Sequence, residues 1–208
     1  MQIMFALLCF LILVFSIILH EVAHGYAADV LGDPTARYAG RLTLNPLPHI
    51  DVIGSIILPA LSMSMPGSFI FGWAKPVPYN PYNLTRAPRW GEVLVASAGP
   101  AMNMVIALLF SLCIRSANDP EFIKICFVGV AVNVWLVCLN LVPIPPLDGS
   151  KILPLFLPRM WARRYVEWRI RMDYNPMLGL VLVFLFLIVC GGMMSVLAYR
   201  FAHFIAGV

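Results

Sequence analysis

His20-Glu21-Val22-Ala23-His24 is the stretch of this 208-residue chain best equipped for chemistry. On a helix, positions four apart share one face, so both imidazoles can reach a single metal ion. Glu21, beside the first of them, can then act on water at that ion. Zinc suits the pair, because it accepts neutral imidazoles at about 2.0–2.1 Å and keeps an open position in catalytic sites. It can also lower the pKa of water to about 7. The chemistry these residues suggest is metal-assisted hydrolysis, with one zinc ion per chain.

HExxH also arises by chance in helices, but here it closes an apolar run from Met1 in which no Lys or Arg precedes Arg37. An ionisable side chain inside a membrane helix costs about 2.5–3.5 kcal/mol on insertion scales. Three on one turn call for a shared purpose. His20 falls ~28 Å from the start of the run at ~1.5 Å per residue, near the far edge of a ~30 Å hydrocarbon core.

A third protein ligand is needed, and Asp148 is the best candidate, in Asn140-Leu-Val-Pro143-Ile-Pro145-Pro146-Leu-Asp148-Gly149. The bland alternative is a loop aspartate in a Pro-Gly turn. The prolines remove helix hydrogen bonds, and backbone groups freed at membrane depth are tolerated where they line a cavity. Asn140 is a candidate donor to the developing oxyanion, with a helix–helix hydrogen bond as its rival. Asn103, in Gly99-Pro100-Ala-Met-Asn103, is read first as a packing hydrogen bond and second as a site residue. His49 could line the entrance to the site and His203 is interfacial; neither is assigned as a ligand. The five cysteines lie in apolar stretches without CxxC spacing and read as small buried hydrophobes.

The elements that must hold these residues are membrane helices. Hydrophobic residues make up 61% of the chain and charged residues only 12%, about half the share a soluble domain needs. The reading is an all-α polytopic membrane protein forming one domain over 1–208. A catalytic core covers about 1–152, a basic interfacial segment about 153–176, and a last transmembrane helix about 177–200. Four spans are expected: Met1 to about Ala28, Gly91–Leu112, Ile125–Leu141 and Met177–Tyr199. Without a basic n-region or small-residue cleavage site, the first run is expected to stay attached as a span rather than act as a signal peptide.

Val52–Phe71 is apolar but broken by Pro59, Pro66 and Gly67. If it enters the bilayer and returns on the same side, eleven of the fourteen basic residues share one face, leaving Arg115, Lys124 and Arg200 opposite. The tendency of Lys and Arg to stay cytoplasmic therefore favours a re-entrant segment, with both termini outside the cytoplasm. On that topology Asp148 and His24 emerge on one face, close to the cytoplasmic side. Ser68–Pro78 reads as a short strand ending in a Pro-rich turn, and an edge strand because Pro76 and Pro78 lack ladder donors. Pro158–Pro176, basic and carrying Trp161 and Trp168, reads as an interfacial helix.

Four segments carry a family pattern: His20 to His24, Phe71-Gly-Trp-Ala-Lys-Pro-Val-Pro78, Gly99 to Asn103, and Asn140 to Gly149. In this order, over about residues 16–152, they resemble the site-2 protease family of intramembrane zinc metalloproteases. The resemblance implies zinc bound by His20, His24 and Asp148, with Glu21 as general base. It also implies a three-helix core and cleavage of transmembrane protein or peptide substrates in the bilayer, often after a first cut by another protease. Only about Cys113–Lys124 stands where many members insert a PDZ domain, and no helix precedes the HExxH helix, as one does in some members. Substrate selection is then expected to rest on the core, an accessory partner or a homo-oligomer, and the compact form favours a prokaryotic plasma membrane. No nucleic-acid partner is expected.

Two other classes fit the sequence less well. A metal transporter would need polar groups along several spans, whereas spans two and four carry no internal charge. An inactive relative serving as a binding scaffold would not be expected to keep His20, Glu21, His24 and Asp148 together.

Overall fold

The computed structural model of the chain describes residues 2–57 and 74–207. Its α-helices are α1 (Gln2–Val30), α2 (Thr35–Tyr38), α3 (Gly91–Ser116), α4 (Pro120–Asn140), α5 (Gly149–Ile152), α6 (Arg159–Asp173) and α7 (Pro176–Ala206). Four of them, α1, α3, α4 and α7, are long and apolar enough to cross a membrane. The shortest, α4, has 21 residues, or ~31 Å at 1.5 Å per residue. That matches a ~30 Å hydrocarbon core.

The spans run further than hydropathy marks them, for local reasons. α4 begins at Pro120, five residues before the expected Ile125, because Asp119 caps it by accepting the Phe122 N–H at 2.9 Å and Pro120 suits the first turn. α7 continues past Tyr199 and Arg200 to Ala206, where Gly207 ends it in the left-handed region at φ 75°. The extra turns are held by packing: Ala198, Ala202, Ile205 and Ala206 join Ala107 and Ile114 of α3 and Cys126, Val130 and Val134 of α4 in one buried cluster. Small residues on α7 let the backbones approach, as helices in lipid require. Large apolar side chains such as Phe10, Leu112, Ile188 and Phe204 point outward and exposed, the arrangement a lipid environment favours. Cys126 is buried as expected, but Cys113 is exposed on α3.

The connection from α1 to α3 is anchored by Asp33, which is fully buried. Its carboxylate accepts from the Thr35 hydroxyl at 2.5 Å, Asn80 N–H at 2.6 Å, Asn83 Nδ2 at 3.0 Å and Thr35 N–H at 3.3 Å. Burial favours the neutral acid, but these bonds outweigh it and hold the carboxyl below its usual range.

Among the described residues there is no strand. Of the short strand and Pro-rich turn expected over Ser68–Pro78, residues 68–73 lie outside the described residues, as does most of the apolar stretch before them, and 74–78 form no strand. The part that is described, Val52–Ile57, is a turn of π-helix. The Lys75 N–H donates to the His49 carbonyl at 2.9 Å, so the chain from 50 to 74 ends beside the point it left. The basic segment forms a helix, α6, and Arg169 ties it to α3 through both carboxylate oxygens of Glu92 at 3.0 Å.

Candidate metal centre

His20 and His24 stand one turn apart on α1, with ring centroids 4.6 Å apart and planes at 89°. Their Nε2 atoms lie 3.0 Å from each other. Asp148, from the far end of the sequence, brings Oδ2 to 3.2 Å from His20 Nε2 and 3.3 Å from His24 Nε2. All three residues are buried.

The tautomers of the two rings follow from what their other nitrogens touch. The Gly129 carbonyl can only accept, so Asn133 turns Nδ2 to it at 2.9 Å and presents Oδ1 to Asn103. Asn103 must then donate through Nδ2, at 2.8 Å, which leaves its Oδ1 facing His20 Nδ1 at 2.5 Å. The proton of neutral His20 therefore sits on Nδ1. His24 Nδ1 donates to the Val95 carbonyl of α3 at 2.7 Å, with the same result. Both Nε2 lone pairs point at the same small volume as a carboxylate oxygen. Three acceptors with no proton among them are a poor hydrogen-bonding cluster and a good donor set for a divalent cation.

Asp148 is free for that role. It precedes α5 without capping it, and Oδ2 is buried without a hydrogen-bond donor. Burial pushes its carboxyl towards the neutral acid; the imidazoles, when protonated at Nε2, pull it well below the usual carboxylate range, and a cation in place of those protons would act in the same direction. The turn that delivers it is compact because Gly149 lies against the Leu141 and Val142 carbonyls, where any Cβ would collide. Pro143, inside the same turn, accepts from the Tyr165 hydroxyl at 2.8 Å, which docks α6 on the loop. Burial pushes that phenol up to about 12.

The third wall is Gly99. A Cβ there would meet His20 Cε1 at 2.5 Å and Nε2 at 2.6 Å, and would strike His24 Nε2 as well. Gly99→Ala is therefore expected to displace both rings and lower metal affinity by at least about tenfold. Equilibrium dialysis against zinc checks this, and wild-type affinity would contradict the packing.

Glu21 takes a different partner. Its Oε2 accepts the Val77 N–H at 2.9 Å, which ties α1 to the segment returning after residue 73. Asn140 donates through Nδ2 to the Leu136 carbonyl of its own helix at 3.0 Å. That bond uses one of its two amide hydrogens, and no bond to the cluster is present. His49 is buried and donates Nε2 to the Thr43 carbonyl at 3.0 Å. His203 packs against Phe127 and Tyr199. Neither is part of the three-residue cluster.

The sequence reading missed Asn133 and Ser16. Asn133 Nδ2 also reaches the Ser16 hydroxyl at 2.9 Å, so α1, α3 and α4 meet in one polar knot in which Asn103 and Asn133 are fully buried. The signal was available: an asparagine in the middle of an apolar span needs a partner.

A protein of Bacillus subtilis named "Putative zinc metalloprotease YwhC" is 36% identical over 156 residues, covering 70% of this chain and 67% of its own length. The chain belongs to the site-2 protease family. Two mycobacterial proteins, both named "Putative zinc metalloprotease Rip2", are similar as well. The one from Mycolicibacterium smegmatis is 36% identical over 138 residues, and the one from Mycobacterium tuberculosis strain Erdman 35% over 142. These matches cover 64% and 66% of the chain, which spans about half the length of those relatives, 51% and 52%. No family model and no solved structure matches the chain. For a site-2 protease, the convergence of two imidazoles and one carboxylate is the feature that matters most.

Proposed function

We propose that this chain is an intramembrane zinc metalloendopeptidase that cleaves peptide bonds within or at the edge of transmembrane segments of other membrane proteins. The observation that carries the reading is the convergence of His20 Nε2, His24 Nε2 and Asp148 Oδ2 within 3.0–3.3 Å, with both histidines on a helix long and apolar enough to span. Metalloprotease names among its relatives support the reaction class.

His20, His24 and Asp148 would hold the ion. Zinc bound there would polarise a scissile carbonyl and acidify water. Glu21 does the proton work. Oε2 is occupied by the Val77 N–H, so Oε1 takes the proton from the attacking water and returns it to the leaving amine nitrogen. The two asparagines and the Val95 carbonyl hold both rings with Nε2 turned to the site before an ion binds.

An open apolar cavity of about 560 Å³ lies between α1 and α3. Leu19, Val22 and Ala23 line one side, Ala98 and Ala101 the other, and Leu44 bounds it. That lining suits an apolar segment arriving sideways from lipid. The return of residue 75 to His49 fits a re-entrant course for the segment between them. With it the basic residues collect on the cytoplasmic side, and the metal centre lies near that face of a prokaryotic plasma membrane.

The test is reconstitution with a single-span substrate. Cleavage inside or at the border of its apolar segment is expected, lost with a zinc chelator and restored by added zinc. Cleavage confined to water-exposed loops, or of the same sequence as a soluble peptide at equal rate, would count against action within the bilayer.

A further inference from the structure

Lys75-Pro76-Val77-Pro78 has an unusual supply of hydrogen-bond donors. Pro76 and Pro78 have no N–H, so Val77 is the single backbone donor between them, and that donor is spent on Glu21 Oε2 at 2.9 Å. The segment is held from behind by Arg41. Arg41 Nη2 donates to the Lys75 carbonyl at 2.6 Å and reaches the Pro76 carbonyl at 3.3 Å. The Lys75 N–H is fixed by the His49 carbonyl at 2.9 Å. Val77 also packs down on α1, since a Cβ on Gly25, one turn beyond Glu21, would meet the Val77 side chain at 3.0 Å.

Arg41 is only 6% exposed and has no carboxylate partner among the described residues. A guanidinium buried on carbonyls alone is costly to desolvate. It sits where the strap must be pinned for its one amide to meet the carboxylate.

We infer that Arg41 is a positioning residue for Glu21: by gripping the Lys75 and Pro76 carbonyls it presents the Val77 amide to Oε2 and leaves Oε1 aimed for proton transfer. This rests on the base role of Glu21 proposed above. A displacement of about 1 Å at a reacting group can cost up to about 10²-fold in rate, so the grip matters even though Arg41 touches neither metal nor substrate.

Arg41→Met is expected to lower kcat between about tenfold and 10²-fold, with KM and zinc content per chain unchanged. Arg41→Lys, which keeps a cation but one donor centre, should recover part of the loss. Arg37→Met, a nearby exposed arginine paired with Asp29, should not change the rate. In a Glu21→Gln background Arg41→Met should cost nothing further, because both act through one group. Hydrogen exchange gives a readout without turnover, since residues 74–78 carry amides only at Ala74, Lys75 and Val77. Exchange in that stretch should speed up in both Arg41→Met and Glu21→Ala. Zinc loss in Arg41→Met, an effect on KM alone, or an equal loss on top of Glu21→Gln would overturn the assignment. If wild type shows no turnover on any membrane substrate, the proteolytic reading fails, and unchanged exchange in Arg41→Met separately removes the strap.

Discussion

Replacing Glu21 by glutamine is expected to reduce hydrolysis of a membrane substrate by about 10²- to 10⁴-fold, the range over which a positioned acid–base group acts. The substitution is informative because it is nearly isosteric. A glutamine carbonyl can still accept the Val77 N–H that now reaches Oε2 at 2.9 Å, so the strap should stay seated. What disappears is a basic oxygen able to take a proton. Zinc content should hold at one per chain, since the atoms proposed to ligate it belong to His20, His24 and Asp148. Cleavage assays alongside elemental analysis separate the two effects. Wild-type turnover in Glu21→Gln would remove the base assignment, and loss of metal would make Glu21 a structural group instead.

The second large effect is expected at Asp148. Asp148→Asn keeps size and shape but removes the only formal negative charge of the cluster. The amide could also turn Nδ2 toward the imidazoles, placing N–H groups where two Nε2 lone pairs now converge at 3.2 and 3.3 Å. That would satisfy the lone pairs internally and close the site to a cation. Second-shell changes typically cost 10- to 100-fold in metal affinity, so loss of a ligand should exceed about 100-fold. Zinc titration of the purified variant measures it. Unchanged affinity would mean that Asp148 is merely a turn residue with a buried carboxylate.

How much of this was legible beforehand depends on the range of the interaction. His20, Glu21 and His24 could be read because a helix repeats on one face every four residues, and nothing distant is needed to pair them. Asp148 is 124 residues beyond His24 (148 minus 24), yet charge asymmetry and span count already put the two on one membrane face. The spans themselves follow from composition, but their ends do not. Arg200 stops a hydropathy window, whereas the contacts of Ala202 and Ile205 with α3 and α4 carry α7 onward.

Side-chain partners were the least legible part. Asn140 had two available roles, and its bond to the Leu136 carbonyl is a local choice that spacing cannot predict. Asn103 was read first as a packing hydrogen bond; its amide does pack against Asn133, while its carbonyl fixes the His20 tautomer. Arg41 looked like one more cytoplasmic cation, because a charge count does not see that its guanidinium turns inward onto two carbonyls.

The claim on which everything else depends is that one divalent ion sits between α1 and the turn that follows α4. X-ray absorption at the zinc edge of the purified protein tests it most directly. Two imidazole nitrogens at about 2.0–2.1 Å with oxygen filling the remaining positions is the expected shell, and the imidazole signal should vanish in a His20→Ala, His24→Ala variant. Sulfur at about 2.3 Å, or zinc retained with its imidazoles in that variant, would contradict the account.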